Sequence, residues 1–171
     1  AENLSLAYYN LGYARMKSQR YDDAITNFEN ALDDTSTLKK EVVADAYSRI
    51  GDCYYYLSDF SSAIKNYDKA HKASPETGDY ALFQKAMMSG YRRDYSAKVN
   101  TLNEVLEQYP SSGIIPSVLL QKAECYIEQH EYSKAIESYK QLVKNYPTTT
   151  QGRNGYLQLA IAYLNSHKKN E

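Results

Sequence analysis

One pattern of small and aromatic residues occurs four times in this sequence. In the second copy the small residue is Gly51, and the aromatic residue Phe60 follows nine positions later. The same interval of nine joins the other pairs, which are Gly12 and Tyr21, Ala86 and Tyr95, and Ala123 and Tyr132. The aromatic positions are therefore separated by 39, 35 and 37 residues. A repeat of this length is typical of proteins built from stacked supersecondary units.

Each copy predicts a pair of α-helices. Tyr47, Gly51 and Tyr54 are spaced four and then three residues apart, which places them on one helical face. The second helix of the same copy carries large residues and alanines at Phe60, Ala63, Tyr67 and Ala70. Proline follows the aromatic residue by 15 positions in three copies, at Pro75, Pro110 and Pro147, and should end the second helix.

The small residues predict where the two helices of a pair approach most closely. A glycine in a helix interior costs about 1 kcal/mol relative to alanine, so Gly12 and Gly51 need a packing reason. Paired helices lie roughly 8–10 Å apart, and one side chain must be nearly absent at their closest contact. Gly51 on the first helix and Ala63 on the second are the expected contact points.

These residues resemble the tetratricopeptide repeat (TPR), with its order of small, aromatic, alanine, aromatic, alanine and proline. The resemblance implies an all-α fold, a right-handed superhelical solenoid of helix hairpins with four repeats plus a further helix. It predicts a single domain over residues 1–171. Its repeats are expected at about 5–38, 44–77, 79–112 and 116–149, with a partial repeat or capping helix at 151–167. The fourth copy looks most like TPR proteins of bacterial envelopes, including those of the Tol system and of outer-membrane assembly.

Two departures from the repeat pattern carry structural expectations. Lys98 stands where the third copy should have an alanine, so either the helix rotates or the lysine lays its stem over the core with its ammonium outside. The spacing between the first two copies is longer, which predicts helices extended by a turn.

Composition and motif searches argue against several functional classes. The chain has 20 basic and 21 acidic residues and a net charge of −1, which gives no electrostatic drive toward nucleic acid. The longest apolar stretch, Gly113–Leu120, is too short for membrane insertion. His71, His130 and His167 lie in different parts of the repeat, and no metal-ligand spacing, phosphate loop or nucleophile motif occurs. We therefore expect no metal, no cofactor and no enzymatic activity.

The two cysteines occupy equivalent positions, two residues after the small residue of their copies. Cys53 and Cys125 should therefore be buried, small apolar residues in similar surroundings. Neither has a base placed to activate it as a nucleophile.

By resemblance to the family, the first helices line the concave side of the solenoid, where a partner would bind. The expected partner-binding residues are Tyr9, Tyr13, Arg49, Tyr55, Tyr80, Phe83, Met87, Tyr91 and Ile127. Tyrosine offers a large contact area, a hydroxyl group and little rotamer entropy to lose. The resemblance thus implies a non-catalytic scaffold that binds a partner peptide or protein segment. In the alternative interpretation, many of these tyrosines only pack between successive repeats.

A second function stays open, that of a structural or self-association module that forms homo-oligomers. The last predicted helix would expose Leu157, Ala160, Ile161 and Leu164, which could pack against another copy. In that interpretation the sequence is a fragment of a longer TPR protein in the cell envelope. The resemblance favours the periplasm or cell envelope over the cytoplasm.

Overall fold

The chain folds into α-helices joined by short turns. The computed structural model describes residues 2–168, with side chains described for residues 4–166. Within these residues there is no strand, and the nine α-helices are α1 (Glu2–Lys17), α2 (Tyr21–Leu32), α3 (Lys40–Tyr56), α4 (Phe60–Ala73), α5 (Asp79–Tyr91), α6 (Tyr95–Gln108), α7 (Ile115–Glu128), α8 (Tyr132–Asn145) and α9 (Thr150–Lys168). The predicted all-α class is confirmed.

The helices are grouped into two compact units, Ala1–Arg92 and Arg93–Glu171. In the first unit, α1 pairs with α2 and α3 with α4, while α2 packs on α3 and α4 on α5. In the second unit, α7 pairs with α8, α8 packs on α9, and α6 packs on α7. The expectation of a single domain over residues 1–171 stays a prediction.

The small residues of the repeat lie under aromatic rings of the paired helix. A Cβ atom built on Gly51 would lie 2.8 Å from the Tyr67 ring, and one built on Gly12 would lie 2.7 Å from the Phe28 ring. Real side chains do not come this close, so only glycine admits these rings without a shift. The prediction that close packing explains the glycines is confirmed. However, the residue that contacts Gly51 is Tyr67 rather than the expected Ala63. The Tyr67 ring reaches across to the first helix, and Ala63 lies one turn earlier on α4.

Four of the turns between helices contain a residue in the left-handed backbone region. Among the described residues, positive φ angles occur at the non-glycine residues Gln19, Ser58, Arg93 and His130, each two positions before an aromatic anchor. After Ser58, the amide of Asp59 donates to the carbonyl of Tyr54 at 2.9 Å, which closes the helix end in a Schellman arrangement. The turn geometry therefore repeats with the sequence, although no glycine provides it.

The prolines and the polar residues near them separate the second helices from the next first helices. α4, α6 and α8 each end two residues before a proline, as predicted. Thr149 Oγ1 then accepts a hydrogen bond from the amide of Gly152 at 2.9 Å and caps α9. Ser112 Oγ accepts from the amide of Ile114 at 3.3 Å just before α7.

The longer spacing between the first two copies extends only one helix. α3 has 17 residues, compared with 13 in α5 and 14 in α7. α2 has only 12 residues, so the predicted extra turn is right for α3 and wrong for α2. A 3₁₀ turn at Thr35–Thr37 lies between α2 and α3, and the Asp34 carboxylate caps it by accepting from the amide of Ser36 at 3.1 Å.

Both cysteines are buried free thiols, as their repeat position predicts. Cys53 belongs to a core cluster with Ala24, Phe28, Ala46 and Ile50. Burial, with a smaller contribution from Asp52, raises the pKa of Cys53 to about 12. A thiol that remains protonated is a poor nucleophile, which agrees with a packing role.

Among residues 2–168, no helix combines the length and apolarity that a membrane crossing requires.

Candidate partner-binding face

In the first unit, side chains of α1, α3 and α5 bond to one another and form a continuous layer, here called the first-helix face. The Tyr9 hydroxyl of α1 donates to Asp45 Oδ2 of α3 at 2.7 Å, and the Tyr13 hydroxyl donates to the same oxygen. The Tyr80 hydroxyl of α5 donates to Asp52 Oδ1 of α3 at 2.8 Å. Two aspartates of the middle helix therefore connect it to the first helices before and after it.

Arg49 joins the two aspartates. Its Nη1 donates to Asp52 Oδ2 at 2.6 Å, and its Nε lies 3.3 Å from Asp45 Oδ1. The guanidinium also lies over the Tyr80 ring, 5.2 Å from the centroid. The Tyr67 hydroxyl of α4 completes the set with a 2.7 Å bond to Asp52 Oδ1. We call Arg49, the two aspartates and these four tyrosines the tyrosine–aspartate network.

Contacts within the network offset part of the free-energy cost of burying its charged groups. Burial raises the pKa of Asp52, and the charge of Arg49 and the bonds from Tyr67 and Tyr80 oppose that rise without cancelling it. For Arg49 burial lowers the pKa, but attraction to Asp52 and Asp45 outweighs it and the pKa lies above the usual value. Burial and the neighbouring carboxylate also raise the pKa of Tyr67 and Tyr80. The tyrosines therefore remain hydroxyl donors near neutral pH.

Five aromatic rings form a second feature of this unit, here called the aromatic strip. The rings of Tyr21 and Tyr56 are stacked with centroids 4.8 Å apart, and Tyr55 lies 5.4 Å from Tyr56. Tyr91 continues the strip, 5.6 Å from Tyr55 and 5.2 Å from Phe60. Tyr56 and Tyr91 are each slightly more than half exposed. These residues belong to the ends of α3 and α5 and the starts of α2 and α4, so the strip follows the hairpin turns.

A cavity of about 380 Å³ adjoins the strip where α1, α2 and α3 meet. Tyr13, Met16, Lys17, Tyr21 and Tyr56 contribute to its wall, and none of the described side chains lining it is acidic. Arg49 lines this cavity and also a smaller one of about 240 Å³ between α3, α4 and α5. The tyrosine–aspartate network therefore lies between the two cavities.

The second unit has a separate cavity of about 330 Å³ that contains Lys98. Lys98 is buried, and its ammonium donates to Gln121 Oε1 at 2.9 Å, so the expectation of an ammonium outside the core is wrong. Gln121 in turn donates to the exposed Glu124 at 2.7 Å, so the buried ammonium is connected through Gln121 to the surface. Burial lowers the pKa of Lys98.

The structure distributes the predicted binding residues among these features. Tyr9, Tyr13, Arg49 and Tyr80 belong to the tyrosine–aspartate network, and Tyr55 and Tyr91 belong to the aromatic strip. Phe83 and Met87 are half-buried on α5, where Met87 packs against the core around Ala63 and Tyr67. Ile127 lines the cavity of the second unit.

The alternative interpretation, packing between successive repeats, describes Tyr9, Tyr13 and Tyr80 well. The sequence did not indicate Tyr21 or Phe60 as parts of this surface, although both contribute rings to the aromatic strip. Tyr21 and Phe60 are the aromatic anchors of the repeat, and a repeat position by itself indicates packing rather than exposure. The adjacent tyrosines of α3 were the available signal for the strip, because neighbouring helical residues cannot all face the core.

The side chain of His167 lies outside the described residues. His71 belongs to α4, and His130 occupies an exposed turn. Within the described part of the chain, no cluster of three or more His, Cys, Asp or Glu side chains has an arrangement suited to a metal ion.

Comparison with known families finds the repeat in the sequence itself. The tetratricopeptide repeat matches residues 3–76 in one family description and residues 80–112 and 117–149 in another. No curated protein sequence matches the chain.

Several solved structures share the fold at low sequence identity. MamA protein is 16% identical with a TM-score of 0.79, and the match covers 98% of this chain and 85% of MamA. YrrB, described as a TPR protein with an unusual peptide-binding site, is 18% identical with a TM-score of 0.68, over 89% of this chain and 74% of YrrB. A tetratricopeptide repeat protein from Parabacteroides merdae ATCC 43184 is 13% identical with a TM-score of 0.80, over 95% of this chain and 61% of that protein. This chain, with four matched copies of the repeat and the helix hairpins that they specify, belongs to the tetratricopeptide repeat family.

Proposed function

We propose that this chain is a non-catalytic interaction scaffold that binds an extended segment of a partner protein on its first unit, along the first-helix face and the aromatic strip. The tetratricopeptide repeat fold is a protein and peptide interaction module, and the similar protein YrrB is described as having a peptide-binding site. The observation that supports the proposal most is the aromatic strip, where Tyr56 and Tyr91 expose rings next to a cavity of about 380 Å³.

The chemistry of this surface favours an apolar or aromatic anchor residue in the partner. Aromatic pairs contribute about 0.5–1.5 kcal/mol beyond the area that they bury, and exposed tyrosine rings leave positions open for a further ring. Lys17 lies on the cavity wall beside Tyr21 and Tyr56. A carboxylate next to the anchor residue would therefore meet a cation there rather than an acidic group.

The tyrosine–aspartate network supports the same proposal by holding the surface in place. It connects α1, α3 and α5 through hydrogen bonds between side chains, so the three helices present a fixed arrangement to a partner. A surface that is already ordered loses less conformational entropy on binding.

A peptide selected from a random library tests the proposal, because the selection requires no candidate partner. A phage-displayed library is selected against the 171-residue chain, and the affinity of the best peptide is measured by calorimetry. The double substitution Tyr56→Ala and Tyr91→Ala should weaken binding by at least roughly tenfold, because it removes both exposed rings of the strip.

The matched control is Tyr156→Ala, since Tyr156 in the second unit is exposed to a similar degree. This control should bind as the parent chain does. Equal binding by the double variant, or loss of binding in the control, would place the peptide site elsewhere.

We also propose a location in the bacterial cell envelope. This rests on the likeness of the fourth copy of the repeat to envelope TPR proteins. Fractionation of the source cells tests it, and recovery of the protein in the cytoplasmic fraction alone would refute it.

A further inference from the structure

The cavity of the second unit combines two buried hydrogen-bond donors with two exposed carboxylates. Lys98 and Tyr139 line it and are 9% and 1% exposed. Glu124 and Glu128 also line it, and both are exposed. The volume of about 330 Å³ lies at the lower end of the range for small-molecule sites. All of the lining residues belong to the second unit, so this cavity is separate from the partner-binding surface proposed above.

The Tyr139 hydroxyl has no hydrogen-bond partner among the described side chains and backbone groups. Its counterpart two repeats earlier, Tyr67, donates to Asp52 Oδ1 at 2.7 Å. Glu124 takes the repeat position of Asp52, but its carboxylate accepts from Gln121 instead. A buried tyrosine hydroxyl normally has a partner, so this one is a donor held in reserve for a ligand in the cavity.

Lys98 departs from the repeat in the same cavity. The other copies have alanine at this position, and Ala24, Ala63 and Ala135 are each fully buried. A lysine is costly there, because an ammonium loses its hydration on burial. Its hydrogen bond to Gln121 uses one of three N–H groups, so the others are available to a ligand. A residue that breaks a local packing rule at a cost in stability often marks a functional site.

The charges around the cavity attract one another without direct contact. Burial lowers the pKa of Lys98, and nearby groups that include Glu124 and Glu128 oppose this shift. Nevertheless, among the described residues neither carboxylate forms an ion pair with the ammonium. A ligand that fills the space between them needs an acceptor for the buried donors and a cation for the carboxylates.

We propose that this cavity binds a free α-amino acid with an apolar side chain. The carboxylate of the ligand accepts hydrogen bonds from the two buried donors, and its ammonium donates to the two exposed carboxylates. Its side chain lies against Tyr95 and Ile127, which complete the apolar part of the wall. A lysine or arginine side chain of a partner would leave the buried donors without an acceptor, whereas a zwitterion gains charge-assisted hydrogen bonds at both ends.

Calorimetry with the 171-residue chain tests which groups of the ligand are recognised. The probes are L-leucine and two analogues that each lack one charged group, isocaproate without the ammonium and isoamylamine without the carboxylate. L-leucine should bind, and each analogue should bind at least roughly tenfold more weakly. Absence of L-leucine binding at tens of millimolar would overturn the proposal, as would an analogue that binds as tightly as L-leucine.

Two substitutions test the buried donors. Lys98→Met removes the ammonium from a side chain of similar length, and Tyr139→Phe removes only the hydroxyl. Each should raise the Kd for L-leucine by at least roughly tenfold. The matched control is Lys122→Met, since Lys122 is a half-buried lysine of α7 that does not line the cavity. The control should bind as the parent chain does, and unchanged affinity in either cavity variant would refute the proposal.

Circular dichroism and a thermal melt of each variant establish that the fold is kept. Tyr139→Phe retains the ring, so the test remains decisive if Lys98→Met does not fold. Heteronuclear NMR of the parent chain then locates the ligand. L-leucine should shift the amide resonances of Cys125 and Glu128, and shifts confined to the first unit would refute the proposed site.

Discussion

Arg49 and Asp52 lie one turn apart on α3, and the guanidinium donates to the carboxylate at 2.6 Å inside a largely buried network. Neither charge is stable there alone, because burial opposes the ionised form of each. Their pairing lets the tyrosine hydroxyls of three other helices converge on α3. The stability of the first unit should therefore depend on this pair.

Arg49→Met should destabilise the protein by about 3 kcal/mol, because it leaves two partly buried carboxylates without their cation. Urea unfolding followed by circular dichroism measures this change. Arg49→Lys should recover part of the loss, since an ammonium keeps the charge but lacks the planar fork that reaches both aspartates. A Met variant as stable as the parent would contradict the role assigned to Arg49.

The same variant should show a distinct pH dependence. Burial raises the pKa of Asp52 in the folded protein above its unfolded value. Protonated Asp52 therefore stabilises the folded protein at low pH, and this stabilisation is lost as pH rises through the folded pKa. Removal of Arg49 raises this pKa further. The stability deficit of Arg49→Met should therefore be larger near pH 7 than near pH 4, as measured by urea unfolding at both values. An equal deficit would show that Asp52 is not the group responsible.

Asp68 should respond to pH in the opposite direction. Its bonds to Lys72 and Lys85, the latter at 2.8 Å, hold its pKa below the usual value. Its contribution is present above the unfolded pKa of a carboxyl group and is lost as pH falls through the lowered one. Asp68→Asn should cost less than about 1 kcal/mol at neutral pH, because the pair is partly solvated. The variant should also lose less stability than the parent on acidification, and an unchanged acid profile would contradict this assignment.

Gly51→Leu should destabilise the protein by roughly 1–3 kcal/mol through overpacking against the Tyr67 ring. A thermal melt measures the effect. The matched control is Gly113→Ala, because a Cβ atom at Gly113 has no neighbour within 4 Å. If Gly51→Leu melts at the temperature of the parent, the close contact between the two helices is not needed.

Ser58→Gly should stabilise the protein by about 0.5–1 kcal/mol, because glycine adopts the left-handed conformation without the steric cost that serine meets at φ 61°. Ser58→Ala keeps that cost and serves as the control, with no gain expected. Chemical unfolding of the three proteins provides the measurement. A gain in the alanine variant would assign the effect to the lost hydroxyl.

The sequence by itself determined the helices and their pairing. The interval of nine between Gly51 and Phe60 specifies where the first helix ends and the second begins. The proline at position 75 specifies where the second helix ends. These are local properties, because helical spacing, a left-handed turn and the missing amide of proline act within a few residues. The buried position of Cys53 follows from the same periodicity.

Only the tertiary structure decided what the polar and aromatic side chains contact. Tyr9 and Tyr13 bond to Asp45, which lies 36 and 32 positions later, and the exposed ring of Tyr56 stacks on an anchor residue of the preceding repeat. The buried ammonium of Lys98 likewise donates a hydrogen bond to Gln121 of a later helix. Such contacts depend on how one hairpin is placed against the next, and a helical period specifies the face of a residue but not the atom that it meets there.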